Sequence, residues 1–548
     1  MKNRIYIYLF VLISVTNLHA QTSTDVYYEI SKSIDLFGRV YKEITLRYVE
    51  EIDPREFMLA GIKGMLGTLD PYTVYIDESS QKDIDLITTG KYGGIGATIG
   101  LRNEKITVVD LIEGYSAQRQ GLRIGDVIIK IDSVDVNKAN YDQLSNYMKG
   151  EAGTMVSVTV KRDGVEQNLI FNLIREEIEI KNLTYYGFIP EKSNNVYLKL
   201  SGFSRSAGEE IKDALLELSR ERDIESIVLD LRGNPGGLLD AAISVADKFL
   251  PRGDLIVSVV GRDSSDIQNY YADEEPVAGD ASLIVLVDRG SASASEIVAG
   301  AIQDHDRGVV LGTESFGKGL VQNVIPLDSR TSLKITTGKY FTPSGRSIQK
   351  INYVDNNVII GDTTYNRMEE YRTDSNRRVY SGGGIQPDTL VENNSKSELI
   401  RALIAQGVFF KFATNFFNTN SIASWDEINK EELFESFKKY FSGSDIELVL
   451  KSERLLKALK EALTDEKISD AVKIKLTELE QVIEQAKHEE LDIYRDDVIA
   501  ELHKEIAARV DGMVGRITAS LNYDKQLKAA FSILESSEKY NKILAVAE

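Results

Sequence analysis

The sequence predicts a multidomain α+β protein in which a helical segment, a small β-domain, an α/β core and a helical C-terminal domain follow one another. Three observations predict this. The 548 residues exceed what one hydrophobic core fills, roughly 250 residues. The hydrophobic period is first helical, then alternates strictly, then gives short apolar strands interleaved with helices. All nine prolines lie at or before Pro387, and the charge-rich remainder is helically periodic. Divisions are expected at 21–82, 83–178, 179–392 and 393–548, after a leader at 1–20.

The leader rests on Lys2 and Arg4, an apolar stretch from Ile5 to Val15, and Leu18-His19-Ala20 ending the run on a small residue, the pattern of a cleaved secretory signal. The stretch is shorter than the ~20 residues that cross a bilayer. No cysteine follows it to carry a lipid and no later segment is apolar enough to span, so an exported mature chain without a membrane span is expected. The 42% apolar and 27% charged residues are those of a globular protein. A net charge of -20 argues against a nucleic-acid surface. With no cysteine, disulfides, thiolate zinc sites and a cysteine nucleophile are excluded together.

In the first segment Ile34, Phe37, Val40, Tyr41, Ile44 and Tyr48 recur at three and four, which predicts a helix. Asp53-Pro54 supplies the N-cap and first-turn proline of a second helix, and Leu69-Asp70-Pro71 is expected to end it. From about Thr89 to Arg175 the period is two, over Ile106–Asp110, Val127–Ile131 and Val156–Val160. Gly93-Gly94-Ile95-Gly96 precedes a strand, Ser116 to Gly121 reads as a short helix with a glycine stop, and Gly125-Asp126 turns into Val127. This order of elements resembles a PDZ domain of the bacterial protease type. The resemblance puts Gly93, Gly94, Ile95 and Gly96 in the loop whose backbone amides hold a peptide's terminal carboxylate, beside a strand edge that can add the peptide by main-chain hydrogen bonds. As a dinucleotide motif the stretch fails, because the glycine spacing is wrong and no helix follows.

Between about Val196 and Asp388, Ser226–Leu231 is a short buried strand leading through Arg232-Gly-Asn-Pro-Gly-Gly237 into a helix over Ala241–Phe249. Ser282–Val287 leads likewise through Ser291 into a helix from Ala294 to about Asp306. Each delivers a turn of small residues to a helix N-terminus, where free N–H groups and the dipole favour developing negative charge. Beyond Pro387, Leu455–Leu459 and Ile483–Ile493 carry the helical period. No catalytic motif is read there, and the segment reads as a surface for packing, an adaptor or self-association.

Ser291-Ala-Ser-Ala-Ser-Glu296, followed by Phe316-Gly-Lys-Gly-Leu-Val-Gln322, offers a hydroxyl nucleophile and an amine base. Outside the leader only His305, His488 and His503 remain as histidines. His305 is twelve residues beyond Ser293 on the same expected helix, about 18 Å along its axis, so a serine hydrolase here must work through lysine. The residues alone do not separate Ser291, Ser293 and Ser295. Gly312 to Lys318 fits a phosphate loop, but Gly319 replaces the magnesium-binding Ser or Thr and Leu320–Leu327 looks like a strand.

These segments, together with Leu69-Asp-Pro71, Asp230 to Gly237 and Tyr340-Phe-Thr-Pro-Ser-Gly-Arg-Ser-Ile-Gln349, resemble in order and spacing the C-terminal processing peptidases, or tail-specific proteases, over about Asp25 to Asp388. The resemblance implies a crotonase and Clp-protease-like core with an inserted PDZ domain. It makes Ser293 the nucleophile and Lys318, twenty-five residues on, the base, with Gln322 steadying the amine. Substrates would be proteins or peptides with free, unstructured, apolar C-terminal tails. No metal, nucleotide or other cofactor is implied, and bacterial relatives point to the periplasm. One departure is Gly233, where a larger residue is expected.

An exposed lysine near pKa ~10.4 is protonated at neutral pH, so burial must depress it for the role. Gln322 reaches Lys318 only if the glycines curl the chain, because residues four apart on a straight strand are ~13 Å distant. Oxyanion donors are expected from the amide of Ala294 and from Gly236 or Gly237, with Gly236 preferred. Two other classes stay open: an inactive peptide-binding scaffold and an acyl-CoA enzyme on the same core.

Overall fold

The computed structural model describes residues 26–78, 86, 88–102, 104–137, 144, 147–353, 364–365, 368–393, 396–420, 422–443, 450–464 and 470–545. The expected signal at 1–20 lies outside them. The chain forms two compact units. One comprises the described part of Met1–Asp77 with Gln322–Thr336 and the described part of Tyr353–Asp362, and the other holds the rest.

In the first unit a helix over 26–47 precedes a second, Pro54–Leu66, whose N-cap Asp53 accepts from Arg55 N and Glu56 N, satisfying donors the helix itself cannot. The second helix ends at Leu66 with Gly67 as C-cap, before Leu69-Asp70-Pro71. Asp70 instead closes a turn, accepting from Tyr72 N at 2.9 Å and Thr73 N at 3.0 Å. The strand Val74–Ile76 then pairs antiparallel with Ser332–Lys334, a partner far off in sequence. The expected helical period is present, but its apolar residues face outward: Ile34 is 66% exposed and Phe37 47%.

The core of the second unit is a six-stranded sheet in the order Leu183–Phe188, Asn195–Leu200, Ser226–Asp230, Ser282–Val287, Val309–Gly312 and Thr389–Leu390. Only the first pair is antiparallel. Strands covered on both faces read as continuous apolar runs, and here alternate residues divide between two layers. Ile227, Leu229, Leu283 and Val285 pack against the helices Ala207–Glu221, Leu239–Asp247 and Ala294–Asp304. Tyr197, Val228, Ile284 and Leu286 pack on the opposite face against Leu521, Leu527, Ala530, Ile533 and Tyr540. The last helices of the chain, Lys525–Leu534 and Ser537–Leu544, thus form the second cover of the core sheet. Tyr540 is bound to that sheet, its hydroxyl accepting from Leu283 N at 3.0 Å and donating to Leu283 O at 3.1 Å.

Between Ala97 and Ile174 an antiparallel sheet runs in the order Ala97–Arg102, Lys105–Leu111, Val127–Ile131, Met155–Lys161 and Leu169–Ile174. Val108, Ile128, Val156 and Val158 form its buried face. The short helix Ser116–Arg119 stops before Gly121, at φ +88°. The C-terminal helices build a separate aromatic core from Phe409, Phe412, Phe434 and Phe437. No helix among the described residues is long and apolar enough to cross a membrane.

Candidate active site

The strand Ser282–Val287 and the helix Ala294–Asp304 are joined by a turn that ends on Ser293. Ser293 has φ +55° and ψ -112°, a conformation costly for a residue with a Cβ. The surroundings impose it. Its N–H donates to Glu296 Oε2 at 2.8 Å, and its carbonyl accepts from Glu296 N at 2.8 Å, Ile297 N at 3.0 Å and the Tyr340 hydroxyl at 3.2 Å. Ser293 and Glu296 form a reciprocal capping box at this helix start. The neighbouring serines are committed to the fold. Ser291 Oγ donates to Leu231 O at 2.8 Å and Ser295 Oγ to Asn234 O at 2.9 Å, both buried. Ser291 and Ser295 thus hold the turns together through backbone carbonyls of the neighbouring loop.

Glu296 holds the site together. It is wholly buried, and its two oxygens accept four donors: Ser293 N and Lys318 N on Oε2, Gly317 N and Ser315 Oγ on Oε1, at 2.5 to 3.0 Å. One carboxylate therefore ties the turn of Ser293 to the loop of Lys318. Burial pushes its pKa up to about 7, against the opposing pull of those four donors. In the sequence Glu296 stands only as the end of the serine motif. Its signal was the Ser-x-x-Glu spacing of a capping box at a helix start.

Lys318 is half-buried on the loop between Val309–Gly312 and Leu320–Pro326. Besides the bond to Glu296, its carbonyl accepts a short hydrogen bond from the Tyr340 hydroxyl, so Tyr340 touches the backbone of both Ser293 and Lys318. Gly317 turns the chain at φ +90°, where a Cβ would come 2.6 Å from Lys350 Cβ. Glu314, the carboxylate nearest in sequence, is engaged by Lys350 at 2.7 Å. Phe316, two residues before Lys318, is 48% exposed. Gln322 falls in the first compact unit, where its Nε2 donates to Thr336 Oγ1 at 3.2 Å.

The turn Arg232–Gly237 is stitched to that of Ser293. Gly233 N donates to Asp288 Oδ1 at 2.8 Å, Ala292 N to Asn234 O at 3.1 Å, and Asn234 Nδ2 to Leu200 O at 2.9 Å. Gly233 has φ +68° with open space where a side chain would begin, so its backbone angle accounts for the glycine. The preference for Gly236 as oxyanion donor is corrected: its N–H turns inward to Asn234 Oδ1 at 3.0 Å. Gly236 instead permits close approach, because at φ +94° a Cβ would meet Ala292 O at 2.6 Å and both Ala294 N and Ser293 Cβ at 2.9 Å. The N–H groups of Ala294 and Gly237 have no acceptor among the described residues.

The loop assignment in the PDZ-like domain is also corrected at its start. Gly93 and Gly94 belong to a strand, Lys91–Gly94, paired with Glu177 and Glu176, so only Ile95 and Gly96 form the turn before Ala97. A Cβ on Gly93 would lie 1.9 Å from Gly150 O, so close backbone packing explains that glycine. A cavity of about 400 Å³ lined by Gly94, Ile95, Ala97, Ile99, Met148 and Lys149, among others, borders the strand Ala97–Arg102, which ends its sheet.

Two alternatives fail on position. His305 is engaged away from Ser293, its Nδ1 with Asp374 and its Nε2 with Leu255 O, both at 2.7 Å. The Gly312–Lys318 loop leads into the strand Leu320–Pro326, where a phosphate loop needs a helix N-terminus.

The model of peptidase family S41 matches residues 194–360 and that of the PDZ domain residues 93–173. The carboxy-terminal-processing protease of Bartonella bacilliformis is 38% identical over 331 residues, covering 60% of this chain and 75% of its own. The chain belongs to the carboxy-terminal processing proteases of family S41. It is therefore a serine-type peptidase. The carboxy-terminal processing protease CtpB of Bacillus subtilis is 33% identical over 332 residues, covering 59% of this protease and 67% of its own chain. A solved photosystem II D1 C-terminal processing protease is 28% identical and covers 64% of this chain and 85% of its own, at a TM-score of 0.36. Two further models match this protease, the activating protease CtpB N-terminal domain at 12–80 and the C-terminal helical domain of a probable PDZ-protease at 399–534.

Proposed function

We propose that this protease is an exported endopeptidase that captures unstructured, apolar C-terminal tails through its PDZ domain and hydrolyses peptide bonds with a Ser293–Lys318 dyad. The observation that carries it is the shared carboxylate of Glu296, which binds the backbone N–H of both residues. Lys318 takes the proton of the Ser293 hydroxyl as Oγ attacks the scissile carbonyl, then returns it to the leaving amine, and water releases the acyl group. Gln322 keeps the role of steadying the lysine, on family resemblance. Ala294 N–H and Gly237 N–H are the oxyanion donors, at a helix start that favours negative charge.

Among the described residues Ala97–Arg102 is the end strand of its sheet, beside a cavity lined partly by Ile95, Ile99 and Met148, which supports tail capture in which a peptide adds as a strand and buries its last side chain. Ile95 and Gly96, in the turn before that strand, take the role of holding the terminal carboxylate, on family resemblance. The basic, apolar leader at 1–20 supports export, to the periplasm given bacterial relatives.

The test is digestion of an unfolded protein with an apolar tail by the mature chain and by Ser293→Ala, with free and amidated tails. Cleavage of the free tail only, lost in Ser293→Ala, is expected. Equal cleavage of both tails refutes tail recognition, and cleavage by Ser293→Ala refutes the nucleophile.

A further inference from the structure

The turn that carries Gly237, one of the two oxyanion donors proposed above, begins at Arg232, and Arg232 is gripped by Asp524 and Gln526, far along the chain. All five of its guanidinium N–H groups are used. Nε and Nη2 donate to the two oxygens of Asp230 at 2.9 and 2.6 Å. Nη1 and Nη2 donate to the two oxygens of Asp524 at 3.0 and 2.6 Å, and Nη1 also to Gln526 Oε1 at 2.8 Å. Such bidentate pairing fixes a plane and an angle as well as a distance. Both side chains of the Arg232–Asp524 pair are largely buried, at 11% and 14% exposed.

Asp524 is itself held, because it is the N-cap of the helix Lys525–Leu534 and accepts from Leu527 N at 3.0 Å. That helix is packed on the core sheet through Leu527, Ala530 and Ile533. On the active-site side, Lys199 Nζ donates to Arg232 O at 2.7 Å. The next residues are tied to the turn of Ser293 by Gly233 N to Asp288 and Ala292 N to Asn234 O. Hydrogen bonds on either side of the short Arg232–Asn234 backbone thus link the C-terminal helices to the turn of Ser293. The nearby charges, Arg232 and Lys199 against Asp230 and Asp524, balance, so removing Asp524 leaves an excess buried positive charge under the loop.

We propose that Asp524, with Gln526, is a positioning residue of the peptidase, holding Arg232 so that the turn ending at Gly237 presents the Gly237 N–H to the oxyanion. The C-terminal helical domain is then a working part of the active site as well as a cover for the core. The proposal rests on the Ser293 reading above.

The test uses full-length Asp524→Asn, which keeps the helix cap and the shape and removes the charge. Asp524→Glu serves as the conservative variant and Tyr540→Phe as the control, since Tyr540 anchors the same helices to Leu283 without touching Arg232. Measured on a tail-bearing peptide, Asp524→Asn is expected to lower kcat 10- to 100-fold with KM within about twofold of the parent. Asp524→Glu is expected to recover part of that loss, and Tyr540→Phe to leave kcat unchanged despite lower thermal stability. Parental kcat in Asp524→Asn overturns the proposal, as does loss of kcat in both Asp524→Asn and Tyr540→Phe in proportion to lost stability. If Asp524→Asn does not fold, Asp524→Glu decides alone: reduced kcat at parental KM supports the proposal, and parental kcat overturns it. Ser293→Ala run in parallel separates the two claims. Activity there defeats the Ser293 reading and this proposal with it, whereas its inactivity beside a fully active Asp524→Asn defeats the proposal alone.

Discussion

Glu296→Gln tests the core of the site. In the parent, four donors converge on a fully buried carboxylate. Glutamine keeps the shape but turns one oxygen into an NH2 group. If Oε1 keeps Ser315 and Gly317, the new NH2 faces the N–H groups of Ser293 and Lys318, and two charge-assisted bonds, each worth about 1.5–3 kcal/mol, are lost. Against this, the carboxylate is expensive to bury, since its pKa is raised from 4.5 to about 7 with burial as the largest cause.

The sign follows from linkage. A carboxyl raised in the folded state contributes stability that is complete below pH 4.5 and is lost as pH rises through about 7. At about 1.4 kcal/mol per pH unit the loss is about 3.4 kcal/mol. Glutamine does not titrate, so the destabilisation caused by Glu296→Gln should shrink by about that amount between pH 4.5 and pH 8. Urea unfolding of both proteins across this range measures it, and peptide turnover at pH 8 should fall at least tenfold in the variant as Ser293 and Lys318 lose their common anchor. Parallel stability curves from pH 4.5 to 8, or unchanged turnover, would refute the reasoning.

Two further outcomes are expected. Gly236→Ala, whose Cβ would sit 2.6 Å from Ala292 O and 2.9 Å from Ala294 N at φ +94°, should cut kcat by about 100-fold or more with little change in KM, read by steady-state kinetics. His305→Gln should leave kcat intact. In the parent, burial lowers the His305 pKa but its bonds to Leu255 O and Asp374 outweigh this and raise it, so stability present below about pH 6.5 is lost as pH rises through the raised value. The variant should lack that slope in thermal unfolding between pH 6 and 8.

The sequence carried the architecture well where one element's physics is local. The strand Ser282–Val287 is found at the expected bounds, because a run of apolar residues buried on both faces has few other solutions. The glycine stop at Gly121 and the cap Asp53 are likewise local chemistry. What the sequence did not carry are contacts made at long separation. The Arg232–Asp524 bond spans 292 positions, and no period in either segment announces it. The strand Val74–Ile76 pairs with Ser332–Lys334, which the linear order of segments conceals. Glu296 was in view but its role was not, since a carboxylate at a helix start ordinarily caps its own helix. Only the fold brings the amides of Gly317 and Lys318 to its other side. Gly236 was credited with an N–H that Asn234 takes up, a choice set by side-chain rotamers. Gly93 and Gly94 were read as loop because glycine favours turns, whereas the close approach of Gly150 keeps Gly93 in a strand.

The central claim is that Ser293 forms the acyl-enzyme, and the direct measurement is intact-protein and peptide mass spectrometry after reaction with an activated ester of a tail peptide, in the parent and in Lys318→Ala. The account predicts one acyl group per chain, located on the peptide containing Ser293 and absent from Lys318→Ala. Acylation at Ser291 or Ser295, or undiminished labelling of Ser293 in Lys318→Ala, would contradict it.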